Sequence, residues 1–151
     1  MEDVLHSLTG LKPRPEEWSQ ILQQCKKIAV VGLSPKESRD SNKVARYLLK
    51  NGYDVVPVNP GQREILGRTC YKSLSDIPFQ VDMANLFLNP ARVPPVVDQA
   101  IKAGIKVVWM QLGVIHLDTA KKAREAGLQV IMDRCIMVEH RNWVQRLSEG
   151  V

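Results

Sequence analysis

The sequence has few cysteines, and their spacing excludes two common kinds of site. Cys25, Cys70 and Cys135 are the three cysteines of the chain, and no two of them form a C-x-x-C pair. An odd number of widely spaced cysteines argues against a disulfide framework, and the missing pair argues against structural zinc. The three histidines also lack a ligand spacing such as H-x-x-x-H. We therefore expect no metal centre and a cytoplasmic location.

Long apolar runs and concentrated charge are missing as well. No segment approaches the roughly 18 apolar residues of a membrane span, and the N-terminus has no basic stretch followed by an apolar one, so we expect neither a membrane anchor nor a secretory signal. The 21 basic residues exceed the 16 acidic ones and give a net charge of +5, but they are scattered. This pattern predicts no nucleic-acid partner and suits a small polyanionic ligand.

Short apolar runs predict the fold class. They cover residues 28–32, 53–58, 81–87, 106–110 and 128–132. Continuous apolar runs are typical of parallel strands that are buried on both faces, with helices as right-handed crossovers. The sequence therefore predicts an α/β fold, a doubly wound Rossmann-like parallel sheet of about five strands with helices on both faces. We expect one domain, 1–151, with a helical lead-in 1–25, a core 26–136 and a C-terminal helix 137–151.

Glycines and prolines predict where the helices begin and end. Gly52, Gly104 and Gly127 each follow a helical pattern and precede a Val/Ile-rich run, as C-terminal caps do. Pro94 and Pro95 are early enough to lie in a first helical turn. Further helices are expected over 3–10, 15–25 and 137–147, and the segment 61–80 contains turn residues and one weak strand.

The loop after the first predicted strand looks like a nucleotide-binding turn with glycines missing. Residues 28–49 read IAVVGLSPKESRDSNKVARYLL, and only Gly32 remains of the three glycines in G-x-G-x-x-G. The second strand ends in VVPVNP, so Asn59 stands where a dinucleotide-binding domain has an acidic side chain for the ribose. These two differences disfavour a nicotinamide dinucleotide.

The same loop carries hydroxyls and cations at a helix start. Ser34, Arg39, Ser41 and Lys43 lie close to the predicted helix N-terminus. Hydroxyls, cations and backbone N–H groups at the positive end of a helix dipole favour phosphate, which predicts an anion site. The alternative is that Gly32 only permits a tight turn and that residues 38–41 are a solvated capping segment.

Several motifs, in order, resemble the small stand-alone CoA-binding domain family. They are VVGLS, YLLKNGYDVVPVNP, ILGRTCYKSLSDIP, VVWMQLGV and AGLQVIMDRC, and the match covers residues 26–140. The family is similar in fold to the N-terminal CoA-binding domain of the succinyl-CoA ligase alpha subunit. The resemblance implies coenzyme A, with about four negative charges, as the ligand at the carboxyl ends of the strands.

The resemblance also implies which residues surround the ligand. The phosphates would lie at the turn formed by Gly32, Leu33 and Ser34, with Arg39, Ser41 and Lys43 nearby. The adenosine would be surrounded by Val58, Asn59 and Pro60, and by Phe87 and Pro90 at the next strand end. The pantetheine arm would lie near the loop with Met110, Gln111 and Gly113. Two positions depart from the family pattern. Leu88 stands where the family commonly has Arg, and Ile136 follows Cys135 where it commonly has Pro.

These observations predict a CoA or acyl-CoA binding protein without catalytic residues of its own. The ligase alpha subunit uses a phosphorylated histidine on a further domain, and the chain ends about ten residues after the matched region, so a separate catalytic subunit is one expected partner; homo-oligomerisation stays open. The alternative is a small NAD(P)- or nucleotide-dependent enzyme or redox sensor that uses Cys135, with His140 and Asp133 or Glu139. A half-buried structural Cys135 is the simpler interpretation.

Overall fold

The computed structural model describes residues 15–150, with side chains from residue 18 onward; the helix expected over 3–10 lies outside these residues. The strands are β1 (Lys27–Val31), β2 (Asp54–Val58), β3 (Glu64–Ile65), β4 (Arg68–Thr69), β5 (Met83–Leu86), β6 (Val107–Met110) and β7 (Gln129–Ile131). The helices are α1 (Pro15–Gln24), α2 (Asp40–Lys50), α3 (Val93–Lys102), α4 (Leu117–Glu125) and α5 (Ile136–Glu149). Within residues 15–150, no helix has the length and apolar character needed to cross a membrane.

Five parallel strands form one sheet in the order β2-β1-β5-β6-β7. In β1, Ile28 and Val30 belong to the apolar cluster beneath α1, α2 and α5, whereas Ala29 and Val31 belong to the cluster beneath α3 and α4. Because successive side chains point to opposite faces, the sheet is buried on both sides. The predicted Rossmann-like sheet with helices on both faces is confirmed.

The predicted boundaries differ from the observed ones by a few residues. The first run ends at Val31, so Gly32 is the first residue of the turn. The run 81–87 contains a strand only over Met83–Leu86, because the side chain of Asp82 is used to cap the neighbouring strand. The segment 61–80 holds the short antiparallel pair β3 and β4, where a single weak strand was expected.

The turns that precede the strands have the conformation expected from the sequence. Gly52, Gly104 and Gly127 adopt φ values of +90°, +75° and +93°, the left-handed region that a glycine C-cap supplies. The prolines Pro94 and Pro95 lie in the first turn of α3. These turns lie at the amino end of the sheet, which leaves the opposite end for longer loops.

A crevice is expected where the strand order reverses. The chain leaves β1 for α2 on one face of the sheet and leaves β5 for α3 on the other face. In doubly wound sheets the carboxyl ends of two such strands form the ligand-binding position. The loops after β1 and β5 therefore define where a site should lie.

Candidate functional site

The turn after β1 depends on Gly32. Its φ is +84°, and its N–H donates to the carbonyl oxygen of Val58 at 2.9 Å. A Cβ at this position would lie 2.1 Å from the carbonyl oxygen of Phe87. The loops after β1 and β5 therefore approach each other more closely than any residue with a side chain would permit.

A hydrogen-bond network holds the rest of this turn in place. The N–H of Ser34 donates to Ser41 Oγ at 3.0 Å, and the carbonyl oxygen of Ser34 accepts from Asn42 Nδ2 at 2.9 Å. Asn42 Oδ1 accepts from Arg46 Nε at 2.8 Å, and Arg46 also donates to the carbonyl oxygen of Glu37. Ser41 thus fixes the turn from within the structure and is not a solvated capping residue.

Asn42 and Arg46 are two residues of this turn that the sequence did not reveal. Only 1% of Asn42 is exposed, and it connects the turn to the second turn of α2. The one available signal was the i, i+4 spacing of Asn42 and Arg46 next to a serine-rich loop. That spacing is too common on helices to identify a structural pair.

Cations lie at the N-terminus of α2, where no side chain caps the helix. Arg39 occupies the N-cap position, and its side chain makes no capping hydrogen bond. Arg39 and Lys43 are both exposed, and so is Asp40 in the first turn. The first N–H groups of a helix have no intrahelical partner, so this end attracts anions, with Asp40 opposing the attraction in part.

Asn59 ties the loop after β2 to the turn after β1. Its Nδ2 donates to the carbonyl oxygen of Leu33 at 2.9 Å, and its Oδ1 accepts from the N–H of Gly61 at 2.8 Å. Val58 is buried and Pro60 is exposed beside it. The side-chain oxygen and nitrogen of Asn59 are both engaged within the protein.

A cleft of about 550 Å³ opens at this end of the sheet. It is lined by Asp40, Lys43 and Val44 of α2, Phe87 and Leu88 after β5, Gln111, Leu112, Gly113 and Val114 after β6, and Cys135, Met137 and Val138 at the start of α5. Its walls are mainly apolar, with a cation and an amide among them. The cleft therefore suits a ligand with an apolar or amide-containing arm and an anionic group.

Gln111 is the most constrained polar residue of the cleft. Only 4% of the residue is exposed, and its Oε1 accepts from Asn85 Nδ2 at 3.1 Å and from the N–H of Ile136 at 2.9 Å. Because both neighbours are donors, the amide orientation is fixed. Among the described residues, Nε2 of Gln111 has no hydrogen-bond partner, which leaves one free donor on this largely buried residue for a ligand in the cleft.

Of the predicted site residues, four line the cleft, namely Lys43, Phe87, Gln111 and Gly113, and the other ten do not. The side chains of Leu33 and Met110 are fully buried in the two apolar clusters, on opposite faces of the sheet. Pro90 begins a short 3-10 turn, Pro90–Arg92, that Asn89 caps. Ligand contacts at Leu33 and Met110, which stay predictions, would have to be made by backbone atoms.

The predicted nucleophilic group is not assembled around Cys135. Nδ1 of His140 is 2.7 Å from the hydroxyl of Tyr47, and Asp133 Oδ1 accepts from the N–H of Gly113 at 2.7 Å. Burial lowers the pKa of His140, which favours the neutral ring. No cluster of three or more His, Cys, Asp or Glu residues that could hold a metal ion occurs in the part of the chain that the structure describes.

The fold and this cleft together define a class of protein, the Rossmann-like domains that bind a ligand at the carboxyl ends of their strands. The sequence profile described as "CoA binding domain" matches residues 26–141, and the chain belongs to that family. The resemblance in the ordered motifs is thereby confirmed.

Individual relatives agree with this assignment. The chain is 37% identical over 128 residues to the uncharacterized protein YneT of Bacillus subtilis (strain 168), which covers 85% of this chain and 95% of YneT. It is 37% identical over 122 residues to the alpha subunit of the ADP-forming acetate–CoA ligase I of Pyrococcus furiosus, covering 70% of this chain but only 26% of that subunit. The structure of a hypothetical protein from Pyrococcus horikoshii OT3 superposes with a TM-score of 0.85 at 48% identity, over 87% of this chain and 93% of that one.

Proposed function

We propose that the chain binds CoA or acyl-CoA in the cleft at the carboxyl ends of the strands and does not transform the ligand by itself. The observation that carries this proposal is that an exposed cation, Lys43, and a largely buried amide with a free donor atom, Gln111, line one mainly apolar cleft. Ligase chemistry would then belong to a separate catalytic chain, in keeping with the small share of the ligase subunit that this chain covers.

The residues present fit two chemical parts of CoA, its phosphates and its pantetheine arm. Arg39, Lys43 and the uncapped start of α2 supply positive charge for phosphates. Phe87 and Leu88 supply apolar wall for the arm, and the free N–H of Gln111 can donate to one of its amide oxygens. Leu88 offers no charge where the family commonly has Arg, so the phosphates depend more on Arg39 and Lys43.

Asn59 supports CoA over a nicotinamide dinucleotide. A ribose of NAD is usually held by an acidic side chain that follows the second strand. Here the neutral Asn59 takes that place and its Nδ2 and Oδ1 already bond to Leu33 and Gly61, so no carboxylate is available to the ribose. The absence of the second and third glycines in the first turn also disfavours a nicotinamide dinucleotide.

Titration calorimetry with CoA, dephospho-CoA, ATP and NAD tests the proposal. We expect CoA to bind most tightly, with dephospho-CoA weaker because it lacks one phosphate. Arg39→Ala and Lys43→Ala should each weaken binding by about 3- to 10-fold, since each removes one exposed charge-assisted contact. Asp40→Asn should strengthen binding slightly because it removes a negative charge from the cleft.

Two controls make the result decisive. Lys102→Ala removes an exposed cation near the amino end of the sheet, and it should leave the affinity for CoA unchanged. Chromatography of acetyl-CoA after incubation with the protein should recover it intact. Binding of NAD without binding of CoA, or an equal loss in the Lys102→Ala variant, would overturn the proposal.

A further inference from the structure

Cys135 is placed where the thiol end of a ligand in the cleft would reach. The residue is the N-cap of α5, is only half-buried, and lines the same cleft as Lys43 and Gln111. We propose that Cys135 exchanges with CoA disulfide to form a mixed disulfide with CoA, which makes the cleft a redox-dependent covalent capture site. This inference rests on the proposed CoA binding.

Gln111 is the independent observation that directs a ligand towards this cysteine. Its Oε1 accepts from the N–H of Ile136, the residue that follows Cys135, and its Nε2 is unpartnered among the described residues. One hydrogen bond thus links the side chain that carries the free donor to the residue beside Cys135. A pantetheine amide that accepts from Gln111 would therefore lie close to the start of α5, with its thiol near Cys135.

The other two cysteines are unsuited to the same reaction. Cys25 and Cys70 are buried, and neither lines the cleft. Burial raises the pKa of Cys25 to about 12 and also raises the pKa of Cys70. Cys70 Sγ donates to the carbonyl oxygen of Asn59 at 3.5 Å. Cys135 is therefore the cysteine with which the sulfur of a bound CoA can react.

Thiol–disulfide exchange with CoA disulfide supplies the chemistry without a further oxidant. Cys135 loses its proton to solvent, and its sulfur attacks one sulfur of CoA disulfide. The sulfur–sulfur bond of CoA disulfide breaks, a new bond joins Cys135 to one CoA, and the second CoA leaves as a thiolate that takes up a proton. One disulfide replaces another, so electrons balance. A small thiol in excess reverses the reaction.

The experiment follows this exchange by intact mass and peptide mapping on the full chain. The protein is treated with CoA disulfide and, in parallel, with pantethine, the disulfide of the same arm without the nucleotide. We expect one CoA to be attached at Cys135 about tenfold or more faster than pantetheine, because the phosphate contacts raise the local concentration of the disulfide. The variant with both Arg39→Ala and Lys43→Ala should lose this preference and keep its rate with pantethine.

Control variants separate this inference from the proposed function. Cys25→Ala should react as the unmodified protein does, and Cys135→Ser should gain no CoA yet still bind CoA reversibly in calorimetry. Reversible binding together with equal rates for the two disulfides, or attachment at another cysteine, would overturn the inference and leave CoA binding intact. If the unmodified protein also fails to bind CoA reversibly, the proposed function itself is overturned.

Discussion

The two ends of the parallel sheet use their polar groups in opposite ways. At the amino end, Asp82 Oδ2 accepts from the N–H groups of Lys26 and Lys27 at 2.9 Å each, and the hydroxyl of Tyr53 donates to the carbonyl oxygen of Leu22. At the carboxyl end, Gln111 keeps a free N–H and Arg39 caps nothing. Polar groups of the first end stabilise the fold, whereas the second end, besides its own bonds through Asn42 and Asn59, leaves Gln111 Nε2 and Arg39 for a ligand.

Volume alone would not have separated the two ends. Hollows of about 510 and 560 Å³ lie near the amino ends of β5 and β6, similar in size to the cleft of about 550 Å³. In those hollows, however, Gln80 Nε2 donates to the carbonyl oxygen of Gly104, and Asp82 is already paired. Among the described residues, a buried polar residue, Gln111, lines the cleft and none lines the two hollows, and this difference, not the size of the space, identifies the site.

Cysteine reactivity provides the largest expected contrast between the ends. Burial, together with the nearby charge of Asp82, raises the pKa of Cys25 from 9.0 to about 12, so its thiolate fraction at neutral pH is about a thousandfold below that of an ordinary thiol. We expect brief alkylation of the native protein to modify Cys135 and spare Cys25. Peptide mapping by mass spectrometry measures this, with denatured protein as the control. Equal labelling of the two would remove the contrast.

Alanine at two glycines compares the ends through stability. Gly32→Ala combines a positive φ with a Cβ 2.1 Å from Phe87 oxygen, and should cost about 2–4 kcal/mol of unfolding free energy. Gly52→Ala has a similar φ of +90° and no atom within 4 Å of its Cβ, so it should cost only about 1–2 kcal/mol. Urea denaturation measures both. Similar losses would mean that the approach of Phe87 to Gly32 is unimportant.

Two hydrogen-bonding residues, one at each end of the sheet, should separate stability from binding. Asn42→Ala leaves the carbonyl oxygen of Ser34 without its donor, and Asp82→Ala leaves two backbone N–H groups without their acceptor. Each should cost about 1–3 kcal/mol of unfolding free energy. Only Asn42→Ala should also weaken CoA binding in calorimetry, because it loosens the first turn. A matching loss of affinity in Asp82→Ala would contradict the division of roles.

The smallest effect is expected from His140, which packs against Tyr47 of α2 and Tyr53. Its folded-state pKa is lowered by burial from 6.5, so the unfolded chain binds the proton more readily. The stability that depends on neutral His140 is fully present above the unfolded-state pKa of about 6.5. It is lost as the pH falls from there through the lower folded-state pKa. Denaturation midpoints between about pH 7.5 and 5 should fall less in His140→Gln, which keeps an acceptor for Tyr47. Parallel profiles would refute this.

The sequence predicted the parts of this molecule that follow from local patterns. Apolar runs predicted the five strands, and Gly52, Gly104 and Gly127 predicted the turns before them, because period and backbone conformation are properties of short segments. The role of Asn42 depends on a contact eight residues away, and the Gln111 bond to Ile136 crosses 25 residues. Such bonds exist only once the sheet has formed, so no local sequence pattern predicts them.

Asn59 also bears on how fast a ligand would be captured. Its two hydrogen bonds join the loops after β1 and β2 before any ligand arrives. A binding surface that is already assembled loses little freedom on association and needs no slow rearrangement. Stopped-flow mixing with CoA should then give a single phase whose rate rises linearly with concentration, as a diffusional encounter does.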